Sequence, residues 1–336
     1  VWLIVHNFRK LYVLWENIGM ENTSNVTAGV YIPIRDYEEN PNHSYKSILF
    51  YKFVNVSDPE MAVLWQKELC SRLNIKGRII ISEHGINGTL NGDIADLKRY
   101  KSRMNMSGIF KGIFYKWSDA DGSEYPRLSV KVKPELVAFE APDKIQIDDE
   151  LGVVGGGEKL RPKQLHDFIE NNKDDVVFFD GRNLYESEVG KFKDAVQPMV
   201  NTSREFISEI EDPKYDDLKN KKVITYCTGG IRCEILTVLM KNRGFKNVYQ
   251  LDGGIVTYGK EFGDDGYWEG KCYVFDGRIL QPFSEKSEVI SNCRECGTVT
   301  DRFSHCSNEP CGAQMIICEE CENKKVEHYC PACAEK

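Results

Sequence analysis

The stretch Tyr226-Cys227-Thr228-Gly229-Gly230-Ile231-Arg232-Cys233 constrains this chain more than any other. Lys222 to Tyr226 (KVITY) has the composition of a buried strand, and Ile231 to Arg243 carries the apolar spacing of a helix. Cys227 therefore falls at a strand-to-helix corner, the repeating joint of a parallel α/β sheet. Backbone N–H groups of such a turn point inward, the helix N-terminus adds partial positive charge, and Arg232 adds a full one. Together they favour thiolate over thiol and can bring a cysteine pKa from about 8.5 into the range of roughly 3.5–7.5. A buried structural cysteine at a strand end is the alternative. Packing alone does not require Gly229, Gly230 and an arginine five positions on.

A chain of 336 residues fits two or three domains of about 100–200 residues each. No apolar run is long enough to span a bilayer. Val1 to Val5 is apolar, but His6, Arg9 and Lys10 follow it without a small-residue cleavage site, so no signal peptide is assigned. Met20 is a candidate start, which makes residues 1–19 an extension expected to be poorly ordered. The formal charge of −8 argues against whole-surface attraction to nucleic acid. Its distribution is uneven: residues 46–140 hold 15 Lys and Arg against 11 Asp and Glu, and residues 141–290 hold 21 against 28. A polyanion is expected to meet the first large domain first, although a solvated basic face gives the same count.

Residues 1–45 read as an irregular or disordered lead-in. In residues 46–140, Ser47 to Val56 is a strand, Asp58-Pro59 opens a helix to about Asn74, and Gly77 to Ser82 is a second strand. Ile86 to Leu90 is a third strand, Asp93 caps a helix to about Met106, and Gly112 to Trp117 and Arg127 to Lys133 are further strands. The order βαββαβ is that of a ferredoxin-like, or acylphosphatase-like, α+β sandwich. Residues 141–157 read as a linker, in which Gly155-Gly156-Gly157 lacks nucleotide-loop spacing and marks a flexible or close-approach turn. Over 158–265 strands and helices alternate as in a parallel α/β sheet, with strands at Val176 to Asp180, Val223 to Tyr226 and Val248 to Leu251. Ligands of open α/β sheets bind beyond the carboxyl ends of the strands, where Cys227, Asp180-Gly181-Arg182 and Asp252-Gly253-Gly254 all lie. Asp180 and Arg182 either brace the cysteine loop or form an ordinary ion pair. Cys233, in the first helical turn, is a packing residue or a resolving thiol.

Of 12 cysteines, eight fall between residues 293 and 333 of the C-terminal extension (residues 266–336), as the pairs Cys293/Cys296, Cys306/Cys311, Cys318/Cys321 and Cys330/Cys333. Four pairs supply two tetrahedral all-cysteine zinc sites, and in so polar a segment the two ions would provide most of the folding free energy. Whether the pairs combine in sequence or interleave is not fixed by spacing, and His305 and His328 lie close enough to substitute. Disulfides are the alternative and would require an oxidising compartment; with no secretory signal, a reducing cytoplasmic setting fits better.

In the first domain, Ser82 to Thr89 reads as a glycine-bearing hairpin. The functional alternative is a polar turn at His84 and Asn87 which, with Lys52, Arg78 and Arg127, contacts phosphates or a flipped base. Phe50, Tyr51 and Phe53 share one strand with side chains on both faces, so the core claims at least some of them.

Residues 158–265 resemble the rhodanese domain in their D-x-R after one strand, Y-E and G-x-F beyond it, C-x-x-G-x-R loop and later G-G turn. The resemblance implies a catalytic Cys227, supported by Thr228, Gly229, Gly230, Ile231 and Arg232, that can hold a persulfide. Four residues separate Cys227 from Arg232, one fewer than in the loop of cysteine phosphatases, so the cradle is too tight for phosphate. From Ser47 to Cys333 the chain resembles the rhodanese-domain tRNA uridine(34) hydroxylases, most sharply at Tyr226 to Glu234, Gly85-Ile86-Asn87 and Tyr273-Val274-Phe275-Asp276-x-Arg278. The family's E-G-I-N reads His84-Gly85-Ile86-Asn87 here, with Glu83 one place earlier. The resemblance implies tRNA as partner, O2 as co-substrate and 5-hydroxylation of the wobble uridine. There is no H-x-D/E iron triad and no flavin or NAD fingerprint. A sulfurtransferase using a Cys227 persulfide is the second reading, and a zinc-dependent RNA- or protein-binding scaffold with a vestigial loop the third.

Overall fold

A computed structural model describes residues 44–141, 145–173, 175–324 and 327–334. Of the lead-in expected over residues 1–45, residues 1–43 lie outside them, and Tyr45 already opens the first strand. The first sheet takes β1 (Tyr45–Phe53), β2 (Lys76–Ser82), β3 (Gly85–Asp93), β4 (Lys116–Asp119) and β5 (Leu128–Val132) in the order β4-β1-β3-β2-β5, with only the β2–β5 pair parallel. Helices α1 (Pro59–Arg72) and α2 (Ile94–Met106) cover one face. Asp58 and Asp93 cap them through their side chains, accepting from the backbone N–H of Met61 and Ala95 and so satisfying donors the helices leave open. This is the expected acylphosphatase-like sandwich.

The fourth strand starts later than the apolar pattern of Gly112 to Trp117 suggested. Phe110, Ile113 and Tyr115 are buried against the sheet from irregular backbone, with Gly112 at φ 80°, and pairing with β1 begins only at Lys116 opposite Leu49. An apolar run that packs from a loop imitates a strand in sequence.

Strand alternation decides what each face of this sheet meets. Ile48 and Phe50 of β1 enter the helix-covered core, whereas Tyr51, Phe53 and Ile80 face the second domain. That second domain is built on β6 (Glu158–Leu160), β7 (Val176–Asp180), β8 (Lys222–Tyr226) and β9 (Asn247–Leu251), all parallel, in the order β6-β9-β8-β7. Helices α3 (Pro162–Asn171), α4 (Leu184–Ser187), α5 (Ile231–Lys241) and α6 (Gly254–Phe262) flank it. Phe53, Leu136 and Phe139 share one buried cluster with Phe179, Val223 and Leu236, so the two domains are joined by common core rather than by a tether alone. Gly157 lies against α5, where its N–H donates to Thr237 Oγ1 at 2.8 Å, so the glycine run is a close-approach turn.

The chain then crosses back. Arg278 donates to Ser118 Oγ and the Asp119 carbonyl, both at 3.0 Å, and Tyr125 Oη donates to the Phe275 carbonyl at 3.0 Å. Among the described residues no helix is long and apolar enough to cross a membrane.

Candidate active site

Cys227 follows β8 in the middle of the parallel sheet, with no surface open to water. The Gly230 N–H donates to its Sγ at 3.1 Å. The turn is anchored from below by Ile255 N–H to the Cys227 carbonyl (3.0 Å) and Val256 N–H to the Thr228 carbonyl (3.1 Å). Gly254, at φ +70°, makes that anchorage possible, since a Cβ there would sit 2.5 Å from the Cys227 carbonyl oxygen. From above the turn is covered by β1: a Cβ on Gly229 would fall 2.7 Å from Leu49 Cδ2, and one on Gly230 would fall 3.1 Å from Tyr51 Oη. The glycine pair thus serves the approach of the first domain as well as the turn itself.

Arg232, in the first turn of α5, is clamped by Glu186 of α4 through two hydrogen bonds of 2.5 and 2.7 Å, and it reaches Thr228 Oγ1 at 3.3 Å. Glu186 is fully buried, so this is a desolvated pair. Arg182 forms its own buried pair with Asp180 and donates to the carbonyls of Glu186 and Gly190 at 3.1 and 2.6 Å. Of the two readings offered for Asp180 and Arg182, the ion pair is present. It braces the cysteine loop only at one remove, by fixing the segment that carries Glu186.

Burial alone would raise the Cys227 pKa. The Cys233 thiol hydrogen bond, the Arg232 charge and the backbone N–H groups of residues 232 and 233 outweigh it and bring the pKa down to about 5. Cys233 moves the other way, raised by burial and by the neighbouring Cys227 charge. It is buried beneath the loop, next to Cys227.

A cavity of about 1130 Å³ opens between the exposed face of the first sheet, the cysteine loop and the crossing segment. Of the predicted residues, Cys227, Thr228, Gly229, Ile231, Arg232, Arg78 and Asn87 line it. Lys52, His84 and Arg127 do not. Lys52 projects to the helix side, where its Nζ donates to the carbonyls of Ile109 and Lys111, both at 2.9 Å. His84 sits in the β2–β3 turn with its carbonyl accepting from Val54, and Arg127 is exposed ahead of β5.

The sequence reading missed Lys116, Tyr51 and the partner role of Glu186. Lys116 Nζ lies 4.7 Å from the Tyr51 ring and 5.5 Å from the Phe114 ring. Desolvation lowers its pKa to about 8, against the opposing pull of Cys227, Asp252 and Glu234. Tyr51 Oη donates to Glu234 Oε1 at 3.0 Å, tying the first domain to the helix that bears Arg232. Period-two alternation along β1 and β2 was the available signal: Tyr51, Arg78 and Ile80 share the cavity face, and Lys52 does not.

In the tail, Cys293, Cys296, Cys318 and Cys321 bring their Sγ atoms within 4.8 Å of one another, and Cys306, Cys311, Cys330 and Cys333 do the same. The first pair therefore joins the third and the second joins the fourth, an interleaved order that spacing left open. Cys296–Cys318 and Cys311–Cys330 are 3.6 Å apart, far beyond the roughly 2.05 Å of a disulfide and near the edge of a tetrahedron with bonds of about 2.3 Å to zinc. The donor sets thus fit two tetrahedral thiolate-bound ions. His305 belongs to neither group. His328 is also outside both; it is buried 3.6 Å from the Glu295 carboxylate.

Residues 45–136 match the UPF0176 acylphosphatase like domain, 161–261 the rhodanese-like domain, and 269–334 the rhodanase C-terminal domain. The tRNA uridine(34) hydroxylase of Corynebacterium jeikeium (strain K411) is 54% identical over 274 residues, 82% of this chain and 88% of that protein. The enzymes of that name from Corynebacterium kroppenstedtii and Corynebacterium glutamicum (strain R) are each 52% identical, covering 86% and 85% of this chain and 97% and 91% of their own length. The chain belongs to the tRNA uridine(34) hydroxylase family. The resemblance seen at Tyr226 to Glu234 thus extends across all three matched regions.

Proposed function

We propose that this protein is a cytoplasmic enzyme that hydroxylates C5 of the wobble uridine in tRNA with O2 as co-substrate. Cys227 is its nucleophile. One observation carries the reading: a thiolate-favouring cysteine forms the floor of a cleft whose other wall is the basic first domain. Uracil is poorly reactive at C5 until a nucleophile adds at C6. In the proposed step the Cys227 sulfur forms a bond to C6, and the C5–C6 π electrons move onto C5 and the C4 carbonyl oxygen, leaving C5 electron-rich toward an oxidant. Arg232 stabilises the thiolate before attack, and Glu186 keeps the guanidinium in place. Lys116, unpaired among the described residues and facing the same cleft, offers its charge to the developing oxyanion.

The two cysteine groups hold two structural zinc ions in this reading, keeping the tail folded beside the crossing segment. Mass spectrometry of tRNA nucleosides after incubation with the purified protein tests the proposal. Formation of 5-hydroxyuridine by the wild type and its loss in Cys227→Ser support it. Appearance of a thionucleoside instead would assign Cys227 to sulfur transfer.

A further inference from the structure

Phe114 and Phe275 stand out among the exposed side chains. They are 62% and 47% exposed, and of the three exposed aromatic residues among those described, Phe114, Phe275 and Tyr329, these two line the cavity above Cys227. Phe114 comes from the first domain and Phe275 from the crossing segment, so they stand on different walls. Single exposed apolar residues are ordinary on any protein surface. What distinguishes these is how firmly they are held and what surrounds them.

Phe114 lies between buried Ile113 and Tyr115, which fix the backbone so that its ring projects into the cavity. Phe275 ends a stack of edge-on rings: its centroid is 5.1 Å from Tyr273, which is 5.2 Å from Tyr185 and 5.3 Å from Phe303. Its carbonyl accepts from Tyr125 Oη, and its neighbour Asp276 is paired with Arg278 at 2.5 Å. Both rings are therefore presented rigidly, at little entropic cost on binding. Each has a cation beside it, Lys116 at 5.5 Å and Arg232 at 5.6 Å. Arg78, Lys116 and Lys260 line the same cavity with no ion-pair partner among the described residues. At about 1130 Å³ the space exceeds the roughly 300–1,000 Å³ that suits one drug-sized ligand.

Arg232 is already paired with Glu186, so Arg78, Lys116 and Lys260 are the cations left to meet phosphates. Rigid aromatic faces in a cleft with such cations are the means by which proteins hold unpaired nucleic acid, stacking bases on the rings while the cations meet phosphates. We propose that Phe114 and Phe275 are stacking platforms for the unpaired bases flanking the target uridine, so that the cavity takes a short single-stranded RNA segment. The proposal rests on the tRNA reading above. The reacting base would lie deeper, over Cys227, between the two platforms.

Binding is measured in a Cys227→Ser background, which prevents turnover, with an RNA stem–loop carrying the anticodon and with the same RNA made abasic at each nucleotide flanking the uridine. Phe275→Ala and Phe114→Ala should each raise Kd about 5- to 150-fold, the equivalent of about 1–3 kcal/mol per stacked base. Phe→Trp should retain binding and Phe→Leu should not, because leucine keeps the apolar surface and loses the π-face. On RNA abasic at the matching position, the alanine change should cost nothing further. Unchanged Kd in both alanine variants overturns the proposal, as does full retention by leucine or an equal loss of heparin binding. Thermal unfolding checks that each variant is folded. A wild type that binds the loop in this ring-dependent way yet forms no 5-hydroxyuridine would refute the hydroxylase reading and leave the platforms standing.

Discussion

Replacing Arg232 by methionine separates the two roles assigned to that side chain. Its guanidinium is 8% exposed and Glu186 is 0% exposed, joined at 2.5 and 2.7 Å, so solvent screens the pair hardly at all. Arg232→Met leaves the Glu186 carboxylate buried without its counter-charge, which costs about 3–5 kcal/mol of folding stability. At roughly 2 °C per kcal/mol for a chain of this length, Tm should fall by about 6–10 °C. Arg232→Met with Glu186→Met removes both charges at similar volume and should recover more than half of that loss. The shortfall would come from the Asn183 N–H and Thr228 hydroxyl, which both donate to Glu186. The thiol behaves differently. The Arg232 charge lowers the Cys227 pKa, so both variants should raise it, and the double variant should not restore it. Thermal unfolding reads the first effect, and peptide-resolved alkylation of Cys227 against pH reads the second. Unaltered titration of Cys227 in Arg232→Met would refute the account of the thiolate, and no recovery in the double variant would refute the account of the pair.

Gly254→Ala should cost about 1–3 kcal/mol and abolish modification, because its Cβ would meet the backbone of the cysteine turn at 2.5 Å with φ at +70°. Gly229→Ala, which meets only the end of the Leu49 side chain, should be tolerated better; comparison of Tm and nucleoside yield decides. Lys116 is cationic below its lowered pKa of about 8, so RNA binding should weaken as pH rises through that value, and Lys116→Arg, charged throughout, should lose this alkaline limb. Because the cysteine pairs interleave, Cys293→Ala with Cys318→Ala should remove one zinc per chain, whereas Cys293→Ala with Cys306→Ala should remove two, as read by metal content.

The sequence reading and the structure agree where local rules decide the outcome. Asp58 and Asp93 announce their helices, apolar alternation announces the strands of the first sheet other than β4, and the run into Cys227 announces a strand-to-helix corner. Pairwise cysteine spacing likewise announces two groups of four cysteines that could hold a metal ion. What could not be read depends on docking between segments distant in the chain. Glu186 and Arg232 are 46 positions apart, and nothing in either neighbourhood says that one clamps the other. Tyr51 meets Glu234 only because the sheet of one domain lies over the loop of the next. The choice of interleaved over sequential cysteine pairing is also tertiary. Lys52 is a different case, since its position one residue from Tyr51 on a strand already placed it on the opposite face.

The most direct test of the central claim is mass spectrometry of nucleosides from one tRNA pool incubated aerobically with wild type and with Cys227→Ser. The account predicts 5-hydroxyuridine at the wobble position with the wild type and none with the variant. Equal yields from both would show that the thiol at the floor of the cleft is not the group that performs the reaction.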